Sequence, residues 1–287
     1  MKASLAINGR TRFVAVIGHP VAHSASPAMH NAAFDALGMN WRYLALDVDP
    51  ARLGPALRGL ALCGFAGVNC TVPHKLVAFR EADRLDNDAR AAGAANTLSF
   101  RLRRGRPFLH GASTDGYGLL AALREEFGFH PQGRTVAVLG CGGAGRSAAV
   151  EFARAGVKRL VLLNRTRAKA VALARHVRVL RPRVECLLEP ASCDLLVQAT
   201  SLGLKADDPC PLDASLLTKA DPCCFLEMIY RPAETPAMRR AKRHGSRTAN
   251  GLSMLLHQGA RAFEIWTGRK APLEVMRRAL RREIYGR

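Results

Sequence analysis

The sequence predicts an α/β fold in two domains, and three observations carry that prediction. The chain has 287 residues, about twice the roughly 150 residues of an average domain. Short β-branched runs alternate with helix-like segments in the first third, the pattern of strands and helices layered on one sheet. A sharper strand, glycine turn, helix and strand follow from residue 134, the order of a βαβ unit.

In the first alternation, the run F-V-A-V-I-G at 13–18 reads as a strand closed by a glycine. A helix is expected over 27–37, with Ser26 as its N-cap and Pro27 in the first helical position. Residues 41–47 alternate like a strand, 50–62 read as a helix, and 67–73 form a short strand ending at a proline. Arginines at 101–106 flank Gly105 as in a basic hairpin turn. In the second alternation, strands are expected at 134–139 and 159–163, with helices running to Ala155 and from Ala168. Further strands fall at 194–200 and 223–228, and helices at 253–266 and 272–284. The expected boundaries are 1–113 for a substrate-binding and catalytic domain, 114–249 for a dinucleotide-binding domain, and 250–287 for helices returning to the first.

Composition excludes several classes. With 48% hydrophobic and 23% charged residues, the chain can bury a core and is not disordered. The longest uncharged stretch, 13–34, is broken by prolines, histidines, serines and glycine. It fails as a span of about 20 apolar residues. The apolar run after Lys2 ends at Asn8-Gly9-Arg10, too early for a secretory leader. A cytoplasmic protein is therefore expected, its eight cysteines reduced and without metal-ligand spacing. Net charge is +20, from 43 Lys and Arg against 23 Asp and Glu. The arginines are scattered, and two Trp with four Tyr supply a poor base-stacking surface. That pattern argues for a solvated basic surface and against nucleic acid.

The glycine turn carries the first chemistry. Gly140-Cys141-Gly142-Gly143-Ala144-Gly145 spells G-x-G-x-x-G between a strand and a helix. Gly140 serves the tight turn, Gly142 lets the backbone approach a pyrophosphate, and Gly145 lets helix and strand pack closely. The helix N-terminus adds N–H groups and positive dipole. About 20 residues on, an NAD site places a carboxylate against the ribose. Here the chain reads Asn164-Arg165-Thr166-Arg167-Ala168-Lys169. Arg165, Thr166 and Lys169 suit a 2′-phosphate, which predicts NADP over NAD; Arg167 is either a further phosphate ligand or a solvated helix-start arginine.

Three clusters in the first domain are polar for their surroundings. They are His23-Ser24-Ala25-Ser26-Pro27, Asn69-Cys70-Thr71-Val72-Pro73-His74-Lys75, and Gly93-Ala94-Ala95-Asn96-Thr97 followed by Ser113-Thr114-Asp115-Gly116. Two hydroxyls at a helix start suit a carboxylate. Asn69 and Thr71 share a strand face. Reducing a ketone leaves an alkoxide, which needs a proton donor in reach. A lysine beside a carboxylate fits, so Lys75 is the expected acid/base and Asp115 its partner; an electrostatic clamp is the other role open to Lys75.

These strings resemble the shikimate dehydrogenase family, with its quinate-accepting relatives. H-S-A-S-P, N-C-T-V-P-H-K, G-A-A-N-T, S-T-D-G, G-C-G-G-A-G, N-R-T, A-T-S-L-G, Y-R-P-A-E-T-P and G-L-S-M-L-L-H-Q occur in the family's order along nearly the whole chain. The resemblance implies a Rossmann-like NADP domain, a substrate domain and a cleft between them. It implies that Ser24 and Ser26 hold the substrate carboxylate with Tyr230 nearby. Thr71, Lys75, Asn96, Asp115 and Gln258 then bond the ring hydroxyls. Residues 140–145 with Asn164, Arg165, Thr166 and Lys169 hold the cofactor, while Met228, Gly251 and Met254 line its nicotinamide side. The implied activity is reversible reduction of 3-dehydroshikimate to shikimate with NADP, as a monomer or homodimer. Quinate or aminoshikimate oxidation, or a regulatory binding protein without turnover, are the alternatives. Ser113, Gln198, Glu227 and Asn250 depart from the family pattern; Ser113 bears on substrate choice and Gln198 on the cofactor. Paired serines at 24 and 26 favour shikimate.

Overall fold

The computed structural model describes residues 6–205 and 207–286. Part of the segment on which the leader was judged, residues 1–5, lies outside the described residues. The chain divides into two compact units, one up to Gly118 plus Leu256 onward, the other Leu119–Leu255. The divisions fall a few residues beyond the expected 113 and 249, inside helices that run on from one unit into the other.

The first unit is a mixed six-stranded sheet. Its strands are β1 (Arg12–Gly18), β2 (Trp41–Asp47), β3 (Gly67–Cys70), β4 (Arg84–Leu85), β5 (Thr97–Arg103) and β6 (Arg106–Ala112), in the order β2-β1-β3-β5-β6-β4. Strands β1, β2 and β3 are parallel, and β5 is antiparallel to both β3 and β6. Five consecutive residues of β1, 14–18, are buried, as expected of a strand covered on both faces. The hairpin between β5 and β6 turns on Arg104 and Gly105, both at positive φ, the two-residue turn that matches strand twist. Helices α1 (Ser26–Ala36), α2 (Leu53–Leu62), α3 (Lys75–Glu81), α4 (Asn87–Ala92) and α5 (Asp115–Phe127) follow the strands. A single 3₁₀ turn at Pro50–Arg52 precedes α2.

One capping expectation is corrected. Ser26 is the first residue of α1 and Ala25 precedes it as N-cap, with no side-chain cap. The Ser26 N–H donates to Ser24 Oγ, while the Ser26 hydroxyl donates to Tyr43. Ser24 thus meets the helix start, and Ser26 is turned inward. Thr71 also lies one residue beyond β3, although its N–H still donates to Ile17 O.

The second unit is a fully parallel sheet of β7 (Thr135–Leu139), β8 (Arg159–Leu163), β9 (Glu185–Leu187), β10 (Leu195–Gln198), β11 (Cys224–Glu227) and β12 (Arg247–Ala249). Read from the β9 edge, the order is β9-β8-β7-β10-β11-β12, the doubly wound 3-2-1-4-5-6 arrangement of a Rossmann fold. Its helices are α6 (Gly143–Arg154), α7 (Arg167–Leu180), α8 (Ala214–Ala220) and α9 (Pro236–His244). The inward face of α7 is Ala170, Leu173, Ala174 and Val177, the i, i+3, i+4, i+7 stripe of a helix lying on a sheet. Full burial of each such leucine or valine contributes about 1.5–3 kcal/mol. Two C-terminal helices, α10 (Leu252–Thr267) and α11 (Leu273–Tyr285), lead back to the first unit, where α11 packs on α1. No described helix is long and apolar enough to cross a membrane.

Candidate active site

In the first unit, three loops ending at helix or strand starts bring one polar cluster together. Lys75 opens α3, behind a tight turn in which the His74 N–H donates to Thr71 O. Asp115 opens α5. Asn96 directly precedes β5, where its backbone donates to Ala112 O and accepts from the Cys70 N–H. Forty residues separate Lys75 from Asp115, yet Lys75 Nζ donates to Asp115 Oδ2 at 2.6 Å. Their side chains are 33% and 14% exposed, so the pair faces solvent from one side. The other carboxylate oxygen, Oδ1, accepts from Asn96 Nδ2 at 2.9 Å. The same amide group donates to Thr114 Oγ1 and, at 3.4 Å, to Gln258 Oε1. A cation at a helix start gains nothing from the dipole; Asp115 supplies the compensating charge.

Ser24 is half-buried and Ser26 buried beside it. Thr71 is half-buried, its methyl group packed against Gly18. Tyr230 belongs to the second unit, just past β11; it is half-buried, and burial pushes its hydroxyl above the ordinary tyrosine value. The first unit therefore gathers Lys75, Asp115, Asn96 and Gln258, with the serine pair at the start of α1.

In the second unit the glycine turn follows β7, beside β10, where the strand order reverses. That switch point is where open α/β sheets bind ligands. Gly140 takes φ +104°, and a Cβ there would lie 2.8 Å from Thr200 Cγ2. At Gly145 a Cβ would lie 1.7 Å from Gly140 O. Only glycine fits either place. Around Gly142 and Gly143 there is open space, and Gly142, Gly143 and Ala144 are exposed at the start of α6. The N–H groups of that first helical turn have no intrahelical partner. Asn164 closes the turn from the next strand: its Oδ1 accepts from the Cys141 N–H at 2.9 Å, and its Nδ2 donates to Thr166 O. Cys141 itself is buried, its thiol pushed up to about 11.

Beside this turn lies a groove of about 320 Å³, lined by Gly140, Asn164, Arg165, Thr166, Lys169 and Thr200 among others. Arg165 and Lys169 are exposed and have no acidic partner among the described residues. Thr166 is the N-cap of α7 but makes no side-chain cap bond. Arg167 pairs with Glu189 on the surface. This donor set, with open space over the glycines, fits a dinucleotide bearing an extra phosphate. Met228 and Met254 are half-buried against the core of the same unit, and Gly251 backs onto the Met228 carbonyl, 2.2 Å from where a Cβ would stand.

The sequence marks Gln198 and Glu227 separately, as departures from the family strings, and does not mark them as a buried polar pair. Gln198 and Glu227 are register partners on β10 and β11, and both are fully buried. Gln198 Nε2 donates to Leu202 O, and its Oε1 accepts from the Thr200 N–H. Glu227 accepts from the Ile229 N–H and the Thr235 hydroxyl, and from Gln198. Burial pushes its carboxyl up to about 7. These two departures from the family strings hold the loops that carry Thr200 and Met228. The only signal was that both strings changed, each by one methylene. Asn250, a third departure, accepts from the Leu252 N–H at the start of α10.

Comparison with known proteins agrees with this geometry. Residues 16–98 match the shikimate dehydrogenase substrate binding domain, 122–202 the shikimate/quinate 5-dehydrogenase model, and 251–281 the shikimate 5′-dehydrogenase C-terminal domain. The shikimate dehydrogenase (NADP(+)) of Methanopyrus kandleri is 41% identical over 98% of each chain. The solved shikimate 5-dehydrogenase of Thermus thermophilus, in complex with NADP(H) and shikimate, is 36% identical, with TM-score 0.84 over 95% of this chain and 100% of that one. A shikimate dehydrogenase solved with NADP+ is 35% identical, with TM-score 0.88 over 99% of both chains. The chain belongs to the shikimate dehydrogenase family.

Proposed function

We propose that the protein catalyses the reversible, NADP-dependent reduction of 3-dehydroshikimate to shikimate. The observation that carries this reading is the Lys75–Asp115 pair, 2.6 Å apart and open to solvent on one side. NADPH supplies the hydride when bound. The chain's own residues do the rest. Lys75 Nζ donates a proton to the alkoxide that develops at the carbonyl oxygen, and takes it back in the oxidative direction. Asp115 holds that ammonium by its Oδ2 and bonds the reacting hydroxyl. Asn96, Thr71 and Gln258 fix the ring hydroxyls, and the Ser24 hydroxyl at the start of α1 holds the carboxylate, with Ser26 behind it committed to Tyr43. Because these donors are fixed before substrate arrives, little reorganisation remains for the chemical step.

Residues 140–145 cradle the pyrophosphate, Asn164 fixes the turn, and Arg165, Thr166 and Lys169 meet the 2′-phosphate. Met228, Gly251 and Met254 lie on the nicotinamide side. The proposed functional partition is a catalytic domain ending near 113, a cofactor domain to 249 and returning helices. We place the enzyme in the cytoplasm, as a monomer or homodimer, in keeping with eight free cysteines.

The deciding experiment follows reduced-cofactor absorbance with purified protein, crossing shikimate and quinate against NADP and NAD. Turnover with shikimate and NADP alone is the expected result. Equal or faster rates with quinate or NAD would make it a catabolic relative, and NADP binding without any turnover would make it a regulatory one.

A further inference from the structure

The Asn96–Asp115–Lys75 cluster does not end at the surface of the site. Behind it, Tyr43, Asn69 and Thr97 are all buried within the first unit, and the hydrogen bonds of Asn69 have only one possible direction. Asn69 Nδ2 lies 3.2 Å from the backbone carbonyl of Asn96, which can only accept. That contact fixes the Asn69 carboxamide, so its Oδ1 faces Tyr43, and the Tyr43 hydroxyl must donate to it, at 2.7 Å. The second donor of Asn69 Nδ2 goes to Thr97 Oγ1 at 3.0 Å. Thr97 Oγ1 lies 3.2 Å from Asn96 Oδ1 and 3.4 Å from Thr114 Oγ1, and the shorter contact directs its proton to Asn96. Asn96 Oδ1 also accepts from the Thr114 N–H, so its Nδ2 is turned to Asp115. Upstream, the remaining lone pairs of Tyr43 accept from Ser26.

We infer that Thr97, with Asn69 and Tyr43 behind it, is a positioning residue for the proposed reaction: a buried one-way chain of donors that locks the Asn96 carboxamide and, through it, the Asp115 carboxylate. The chain runs Ser26, Tyr43, Asn69, Thr97, Asn96, Asp115, and every member donates towards the carboxylate. Bonds aligned this way polarise one another in a low-dielectric interior. None of Tyr43, Asn69 and Thr97 needs to touch substrate. Their effect is on the placement of Asp115 Oδ2 against Lys75, which matters most once charge develops on the reacting oxygen. The inference rests on the proposed roles of Asn96 and Asp115.

Thr97→Val tests it, because the side chain keeps its shape and loses only the hydroxyl. The expected result is a fall in kcat of about five- to tenfold, one neutral hydrogen bond expressed in the transition state. KM for shikimate and the Kd for NADP stay near wild type. Thr97→Ser restores kcat, and in an Asn96→Ala background Thr97→Val costs nothing further. Tyr43→Phe shows the same kcat-only loss in smaller size. Wild-type kcat in both Thr97→Val and Tyr43→Phe overturns the inference. So does an undiminished Thr97→Val loss in the Asn96→Ala background, or failure of a folded Thr97→Ser to recover. Folding is followed by Trp41 and Trp266 fluorescence, both residues lying in the first unit. Were Asn96→Ala itself to keep wild-type kinetics, the reading of Asn96 would fall, a result distinct from the others.

Discussion

The two units handle charge in opposite ways. In the first, the functional cation already has its partner: Lys75 is held by Asp115, and Asp115 by Asn96. In the second, Arg165 and Lys169 stand exposed with no carboxylate among the described residues to neutralise them. A compensated pair keeps its geometry whether or not a ligand is present, which suits proton transfer. Uncompensated cations gain most when an anion arrives, which suits phosphate binding. The buried titratable groups differ as well: a histidine held neutral in the first unit, a carboxyl held neutral below about pH 7 in the second. Each unit can therefore be broken without breaking the other.

The largest effect belongs to the compensated pair. Lys75→Ala is expected to lower kcat about a thousandfold, within the range for loss of a general acid. Its NADP affinity, set in the second unit, stays unchanged. A variant with raised KM and near-normal kcat would instead make Lys75 a substrate clamp. Next comes the uncompensated pair. Arg165→Ala with Lys169→Ala is expected to weaken NADP binding about 10- to 100-fold, two charge-assisted contacts of about 1.5–3 kcal/mol each acting non-additively. NAD affinity changes little, and the wild-type preference collapses. Equal losses for both dinucleotides in direct titrations would remove the 2′-phosphate assignment and leave a general electrostatic role.

Local signals made the second unit more legible than the first. The glycine turn directly joins β7 to α6, so sequence spacing alone located it, and φ +104° at Gly140 agrees. Lys75, Asn96 and Asp115 come from three loops: chemistry paired the lysine with the carboxylate, and only the resemblance to a known family added Asn96 beforehand. Ser26 shows a limit of local reasoning: a serine before a proline at a helix start reads as a cap, but tertiary contact with Tyr43 takes its hydroxyl. Tyr43 and Thr97 sit on strands whose alternation reads only as burial. Nothing along the chain marks them as hydrogen-bonded through Asn69, which lies 26 residues from Tyr43 and 28 from Thr97. That Gln198 and Glu227 are neighbours is visible only in the register of β10 and β11.

The buried carboxyl gives the third effect. Glu227 is raised in the folded state to about 7, against 4.5 for a free side chain. Below about 4.5 both states carry the proton and no penalty arises. As pH rises through 4.5 to 7 the unfolded chain releases it first, so the folded second unit loses stability, by up to about 3 kcal/mol. Glu227→Gln keeps the size and most hydrogen-bonding positions and cannot ionise. It should flatten this dependence and stabilise the unit above about pH 7, read as NADP-binding competence after graded urea exposure. An unchanged pH dependence in the variant would assign it to other groups.

The smallest effect at working pH runs the other way, in the first unit. His30 is fully buried, stacked on Tyr43 at 4.2 Å with rings parallel, and neither ring nitrogen has a hydrogen-bond partner among the described residues. Desolvation lowers its pKa to about 3. The unfolded chain takes up a proton near 6.5 and the folded one does not, so stability is present above about 6.5 and is lost as pH falls towards 3. At about pH 5 the loss is about 2 kcal/mol. His30→Phe should abolish it while keeping an aromatic face against Tyr43. The chain's two tryptophans, Trp41 and Trp266, both lie in the first unit, so their fluorescence reports that unit alone. Mild acid should bring the tryptophan transition to lower urea while NADP-binding competence survives to higher urea. If both transitions move together, the two units unfold as one cooperative body and the opposition of His30 and Glu227 is averaged away.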